Sequence, residues 1–306
     1  MRKILIKFIL FFVIFGAVFS QKLLIPMDQL QTDHLKAYGV AFWSLKRGEN
    51  VDWLLNYRGG SFMVNYNSSL ERELKIRGVY YEPINTAILT EIFADIEENN
   101  MDMVLLEKLP KIAVYSPPDK QPWDDAVTLA LAYAEIDYDV VFDDAVLTDK
   151  LKDYDWLHLH HEDFTGQYGK FYKNYHNAGW YKNMEIQFQA TAHKHGFNTV
   201  HELKKKVALK IKEYIMNGGF MFAMCSATDS FDIALAAQNV DIAATVYDHS
   251  PVDPGYQNKM DYTNSIAFEN YNLYTNPMTY EYSTIDVPPS HRPVTRGAEA
   301  DYFTLF

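Results

Sequence analysis

VHELKKKVALKIKEYIMNGGFMFAMCSATDSFDIALAA, residues 200–237, reads as a helix, a strand, a tight turn and a second helix. Leu203, Val207, Ile211, Tyr214 and Ile215 recur at helical period with lysines between them, the pattern of an amphipathic helix laid on a sheet. Asn217-Gly218-Gly219 predicts its end, because glycine takes the left-handed conformation that closes a last turn. Phe220 to Met224 is continuously apolar, which predicts a strand of a parallel sheet buried on both faces. Cys225, the only cysteine of the chain, then stands at a strand-to-helix turn. Such a turn holds a side chain over the carboxyl edge of the sheet, where doubly wound folds keep their crevice. The following helix start lowers a thiol pKa and offers amides to an oxyanion. Cys225 is therefore the candidate nucleophile, with Ser226 beside it as a candidate substrate contact; a buried structural cysteine is the alternative.

Working outward, the 306 residues suffice for one to three domains. Arg2, Lys3 and Lys7 precede an uncharged apolar run, Phe8 to Phe19, and Val18-Phe19-Ser20 offers cleavage chemistry before Gln21. Residues 1–20 are thus expected to be a signal peptide, and the protein to be exported, to the periplasm or outside the cell. With those three basic residues removed the formal charge moves from −12 to −15. So acidic a chain is not expected to bind nucleic acid or an anionic membrane surface. No other stretch is long and apolar enough for a membrane span, so no integral membrane segment is expected after cleavage. A single cysteine excludes an internal disulfide.

The portion 21–110 reads as a small α/β unit. Leu23 to Pro26 is a strand, a helix carries Leu35, Tyr38, Phe42 and Leu45, and Val51 to Leu55 is the next strand, a βαβ pattern. Arg58-Gly59-Gly60 follows, with Arg58 as a candidate anion contact. From Lys111 a second α/β series runs to the end of the chain: strands at Ile112–Tyr115, Val140–Phe142 and Asp155–Leu159, helices at 123–136 and 148–151, then the opening stretch as the fourth strand. This spacing predicts a parallel sheet with helices on both faces. Between the third and fourth strands lies an aromatic insertion, Phe164 to Phe197. It either covers the crevice, with Tyr168, Tyr172 and Trp180 as substrate contacts, or forms a satellite cluster of its own. Val240 to Tyr247 reads as a further strand, and Tyr302 to Phe306 is an apolar run that suggests a chain cut short.

Trp156-Leu157-His158-Leu159-His160-His161-Glu162-Asp163 ends the third strand with three histidines and two acids. Alternation puts His158 and His160 on one face, and His161 and Glu162 at the crevice end. His160, His161 and Glu162 are candidate base and orienting groups for Cys225. The same cluster offers metal-ligand types without a recognised spacing, so no metal and no cofactor is assigned.

The succession KIAVYSP, YDVVFDD, YDWLHLHHED and KIKEYIMNGGFMFAMCSATDS resembles the class I glutamine amidotransferase-like superfamily over Lys111 to Tyr247. That resemblance implies a flavodoxin-like sheet and a nucleophile at Cys225. The superfamily elbow is Gly-x-Cys-x-Gly, whereas Ala223 and Ala227 occupy the glycine positions here, and no His-x-Glu pair follows Cys225. The whole chain, including MDQLQTDHLKAYGVAFWSL and VDWLLNYRGGSF, resembles exported bacterial proteins commonly labelled asparagine synthetase B. Synthetases of that name carry cysteine directly after the initiator methionine, where this chain has Arg2, and a Ser-Gly-Gly-x-Asp loop that this chain lacks. Together these readings imply an exported, cysteine-dependent enzyme acting on an amide. The alternative is a non-catalytic carbohydrate- or peptide-binding protein of the same fold. A small molecule, glycan or peptide is the expected partner; oligomeric state stays open.

Overall fold

A computed structural model describes residues 22–117 and 126–286. The expected signal peptide, the start of the helix at Trp123 and the apolar C-terminal run lie outside them. The chain divides into two compact units, one holding residues 22–110 and 126–137, the other 111–117 and 138–286.

In the first unit β1 (Lys22–Ile25), α1 (His34–Lys46), β2 (Val51–Leu55), β3 (Phe62–Asn65), α2 (Ser68–Arg77) and β4 (Glu82–Ile84) are followed by α3 (Thr86–Glu98) and β5 (Asp102–Leu106). The sheet order is β4-β1-β3-β2-β5, and every neighbouring pair is antiparallel. The simple βαβ expectation is corrected: β1 and β2 do not pair, because β3 folds back between them, giving a split βαβ. The reversal is local. Asn56, Arg58, Gly59 and Gly60 all take positive φ, and Leu54 and Ser61 close the turn through a 2.8 Å amide-to-carbonyl bond. Helices α1 and α2 bury Ala37, Val40, Leu70 and Leu74 on one sheet face. Helix α3 buries Ile92 and Ile96 on the other, against Leu24, Leu54 and Met63.

The alanine-rich helix of the second series, α4 (Ala126–Ala134), also belongs to this unit. Gly39 of α1 explains how it fits: a Cβ there would meet the Ala134 carbonyl oxygen at 1.9 Å, so only glycine allows the approach. Glu135 then pairs with Lys36 (3.1 Å) and Arg77 (2.8 Å).

The second unit contains β6 (Ile112–Tyr115), β7 (Asp139–Val141), α5 (Asp143–Leu147), β8 (Trp156–Leu159), α6 (Tyr172–Tyr175), α7 (Gly179–Lys194), α8 (Val200–Met216), β9 (Phe220–Ala223), α9 (Ser226–Ala236), α10 (Thr245–Asp248) and α11 (Tyr256–Lys259). Its four strands are parallel in the order β7-β6-β8-β9. Ala113, Tyr115, Leu157 and Leu159 face one core with Val207, Ile211, Phe231 and Leu235 from α8 and α9. Helix α8 starts on a reciprocal cap, with Thr199 Oγ accepting from the Glu202 amide at 3.1 Å and Glu202 reaching back. It ends where the glycine pair predicts, the Gly219 amide bonding the Tyr214 carbonyl at 3.0 Å.

Strand β9 departs from expectation. It is an edge strand, paired only with β8 among the described residues, and its side chains alternate. Phe220 and Phe222 are 59% and 46% exposed, so among the described residues no element covers this part of the sheet on that face. A run of apolar residues without a polar partner face had suggested burial on both sides; here it marks an open apolar edge instead. The stretch at Val240–Tyr247 forms no strand either: a segment without regular structure leads into the single turn of α10. No helix among the described residues is long and apolar enough to cross a membrane.

Candidate active site

Cys225 links β9 to α9 with φ 52° and ψ −138°. That backbone state strains any residue carrying a Cβ, and the sharp strand-to-helix reversal it makes presents an exposed thiol. Ser226 opens α9, so its amide has no partner within the helix. Two bonds fix the turn to the neighbouring strand end. The Met224 amide donates to the Leu159 carbonyl at 3.0 Å, and the Ala227 amide to the His160 carbonyl at 3.1 Å.

The histidine–acid cluster is thereby set beside the turn. His160 is buried, and the exposed His161 ring stacks on it at a centroid distance of 3.6 Å. Glu162 is buried and accepts the His160 amide at 2.8 Å. Ser230, on α9, donates to the Glu162 carbonyl at 2.9 Å, a second tie between helix and strand end. His158 lies back from the edge, fully buried and stacked at 6.0 Å on Phe222. Among the described residues no group of three or more histidine, cysteine and acidic side chains could hold a metal ion.

Asp229, one turn after Cys225, is a candidate site residue that sequence reasoning missed. It is 1% exposed; its Oδ1 accepts the Ser230 amide at 2.8 Å, while Oδ2 has no hydrogen-bond partner among the described residues. Burial, reinforced by the charge of Asp286, pushes its carboxyl up to about 7. The four-residue spacing from Cys225 was the available signal, since it puts both on one side of the helix start.

A strap from the irregular C-terminal region supplies the rest. Leu273 and Ser283 form an antiparallel bridge, and the Tyr274 amide bonds the Tyr282 carbonyl at 2.9 Å. The buried Lys170 anchors it by donating to the carbonyls of Tyr274 and Asn276, and desolvation brings its ammonium down to about 8. Tyr280 on the strap is 59% exposed, with its ring 6.1 Å from that of Phe171. Its hydroxyl is raised by partial burial and by the nearby Cys225, Asp286, Glu281 and Asp229. No periodicity in residues 248–286 betrays this, so the strap had no sequence signal.

Two expected contacts are corrected. Arg58 is a locked structural cation in the first unit: Nε bonds Asp28 at 2.7 Å and the two terminal nitrogens fork onto Glu82 at 2.9 and 3.0 Å. Those carboxylates raise its proton affinity and leave no positive charge for a ligand anion. Tyr168 is 2% exposed and stacks on Phe188 within the core. Of the aromatic insertion, Tyr172 is half-buried against Tyr247 and His176, while Trp180 is 49% exposed and packs edge-on to Phe171 at 5.8 Å. Burial thus divides the insertion, Tyr168, Tyr181 and Phe188 building core and Trp180 and Tyr175 facing out.

A groove of about 540 Å³ opens at the amino edge of the same sheet, lined by residues including Asp149, Asp155, Lys210 and Tyr214. Lys210 is paired there with Asp149 and Glu213, and neither cysteine, serine nor threonine is among the residues that line it. No protein-family model, curated protein or solved structure matches the chain.

Proposed function

We propose that the protein is an exported, cysteine-dependent enzyme that cleaves or transfers an amide, built on an amidotransferase-like, flavodoxin-like domain. The observation that carries the reading is the strained backbone of Cys225 at the start of α9. Strain of this kind persists only where the surroundings enforce it, and it gathers at sites of chemistry. The strand order, 2-1-3-4 in the numbering of the second unit, supports the fold assignment, since it matches the first four strands of the flavodoxin-like order.

In this reading Sγ attacks the amide carbonyl carbon, and the Ser226 amide stabilises the oxygen that becomes negative. His160 or His161 takes the thiol proton and returns it to the departing nitrogen as the C–N bond breaks, with Glu162 as the orienting carboxylate. The amine leaves and a thioester remains on Cys225. Water then cleaves the thioester, releasing a carboxylic acid and restoring the thiol; an acceptor amine in place of water completes a transfer.

The test is release of ammonia or amine from a panel of glutamine, asparagine and peptide amides by the mature protein. Turnover lost in both Cys225→Ala and Cys225→Ser supports the reading. Turnover that survives in Cys225→Ala, or is absent throughout, overturns it. The exposed rings of Tyr175, Trp180 and Tyr280 favour one second reading, a carbohydrate- or peptide-binding protein. It predicts saturable binding that Cys225→Ala leaves intact and Trp180→Ala weakens, with no turnover.

A further inference from the structure

His201, in the first turn of α8, is 2% exposed, and both of its ring nitrogens face backbone carbonyls. Nδ1 lies 2.7 Å from the Thr165 oxygen and Nε2 lies 3.2 Å from the Val240 oxygen. A carbonyl only accepts, and a neutral imidazole carries one N–H, so a neutral ring bonds one of the two and turns a lone pair to the other. The shorter contact assigns the proton to Nδ1, which donates to Thr165. The Val240 carbonyl still has a donor, since Lys205 Nζ reaches it at 3.3 Å.

The two carbonyls belong to different segments. Thr165 stands at the start of the aromatic insertion, whose backbone comes close to α8 because Gly166, at φ +76°, has no side chain. A Cβ there would meet the Cα and the amide nitrogen of His201 at 2.6 Å. Val240 starts the segment that carries α10, where the Tyr247 ring lies 6.2 Å from that of Tyr168 and 6.0 Å from that of Tyr172. His201 and Lys205 therefore fasten both segments to one helix.

A proton on Nε2 changes this arrangement. It sets an imidazolium and the Lys205 ammonium on one oxygen, in a place withdrawn from water, where like charges repel strongly. Burial and then the Lys205 charge hold the proton affinity of His201 below the ordinary histidine value, against the pull of the two carbonyls and of Asp241. Lys205 is itself lowered by burial, with Asp241, Glu202 and Asp253 acting the other way. Asp163 of the insertion is occupied by Thr165 and Gly169. Asp248, on α10, feels His201, and burial raises its carboxyl, so acid neutralises it sooner than an ordinary aspartate. Falling pH thus adds positive charge at the shared carbonyl and removes negative charge facing it.

We propose that His201 is an acid-sensitive latch: neutral, it holds the insertion on α8 and leaves the Val240 carbonyl to Lys205; protonated, it contests that carbonyl and loosens the segment carrying α10. The latch involves neither Cys225 nor its neighbours, so it stands apart from the amide-cleaving reading.

The experiment is an NMR titration of the His201 ring in the full chain, paired with hydrogen exchange read by mass spectrometry and corrected for intrinsic rates. The folded ring is expected to titrate below the ordinary value of about 6.5, and Lys205→Met to raise that value by removing the competing cation. Because the folded, closed state binds this proton more weakly, the contribution of His201 to closure is whole above about pH 6.5. It then falls about tenfold per pH unit until the folded ring titrates. Peptides within 238–250 should accordingly lose about tenfold or more of their protection between about pH 7.5 and about pH 5. His201→Gln, which keeps one donor and takes no charge, should flatten that loss, and so should Lys205→Met. A ring that titrates at or above about 6.5, or whose titration ignores Lys205→Met, overturns the latch. A loss of protection in His201→Gln equal to that of wild type overturns it too, and should that variant fail to fold, an unflattened loss in Lys205→Met does the same.

Discussion

The amide of Ala227 donates to the carbonyl of His160 across 3.1 Å, tying the first turn of α9 to the end of β8. Together with the bond from the Met224 amide to the Leu159 carbonyl, it joins the segment carrying the thiol to the segment carrying the imidazoles. Cys225 is left between them, at a φ of 52°.

That backbone state makes a stability prediction independent of any substrate. Cys225→Ala keeps a Cβ and with it the strain, whereas Cys225→Gly relieves it. Relief of about 1 kcal/mol corresponds to roughly 2–4 °C in a domain of this size. Cys225→Gly should melt higher than Cys225→Ala by that amount in thermal scans; a lower melting point for the glycine variant contradicts a strained turn.

Asp229 gives a prediction with a definite sign. Its folded carboxyl sits at about 7, above the ordinary range, so between about pH 4 and pH 7 the folded state holds a proton that the unfolded state has lost. Stability contributed by this residue is intact below pH 4, declines as pH rises through 7, and becomes a fixed cost above it. Tyr271, Tyr280 and Tyr282, together with Asp163 and Asp286, are the titratable groups coupled to it. Asp229→Asn should therefore be more stable than wild type by roughly 1–3 kcal/mol at pH 8, with the gain vanishing near pH 4. Denaturant titrations at the two pH values measure it, and a gain that grows toward acid contradicts the assignment.

The second unit also buries an ion pair under its sheet. Lys204 Nζ meets Asp143 Oδ1 and the Tyr115 hydroxyl, each at 2.9 Å, and Tyr115 itself donates to Asp143. The ammonium also lies over the rings of Phe142 and Phe188 at 4.3 and 5.0 Å. Lys204→Met strands a buried carboxylate and should cost about 3–5 kcal/mol. Lys204→Met/Asp143→Leu removes both charges and should cost less than the single change. Equal or greater loss in the double variant contradicts the stranded-charge explanation.

Arg58 should behave as a structural residue. Arg58→Ala loses the fork onto Glu82 and the bond to Asp28, a cost of about 1–2 kcal/mol. The rate of Cys225 modification should stay at the wild-type value. A changed rate with unchanged stability would restore the ligand role that its neighbourhood argues against.

Much of the second unit was legible because parallel strands and the helices between them repeat a strong local pattern. The helix stop at Gly218-Gly219, the strand after it and the turn at Cys225 follow from residue types alone. What escaped depends on contacts distant in sequence. A continuous apolar run cannot tell a central strand from the exposed edge that β9 forms. Pairing β3 between β1 and β2 is settled by a turn whose left-handed residues include Asn56 and Arg58, neither of which demands that conformation. The site split along the same line. Cys225, His160, His161 and Glu162, candidates from the sequence, lie at adjacent strand ends, where local pattern alone places them. Tyr280 and Asp286 arrive on a strap pinned by Lys170 from over 100 residues away, and a buried tyrosine such as Tyr168 looks in sequence like an exposed one such as Tyr175.

The most direct test of the central claim is acylation of Cys225 by p-nitrophenyl acetate. The account predicts an initial burst of p-nitrophenol and an acetyl group on the peptide containing Cys225, both lost in Cys225→Ala and in the unfolded chain. Acetylation spread over lysines, at the same rate in Cys225→Ala as in wild type, would contradict it.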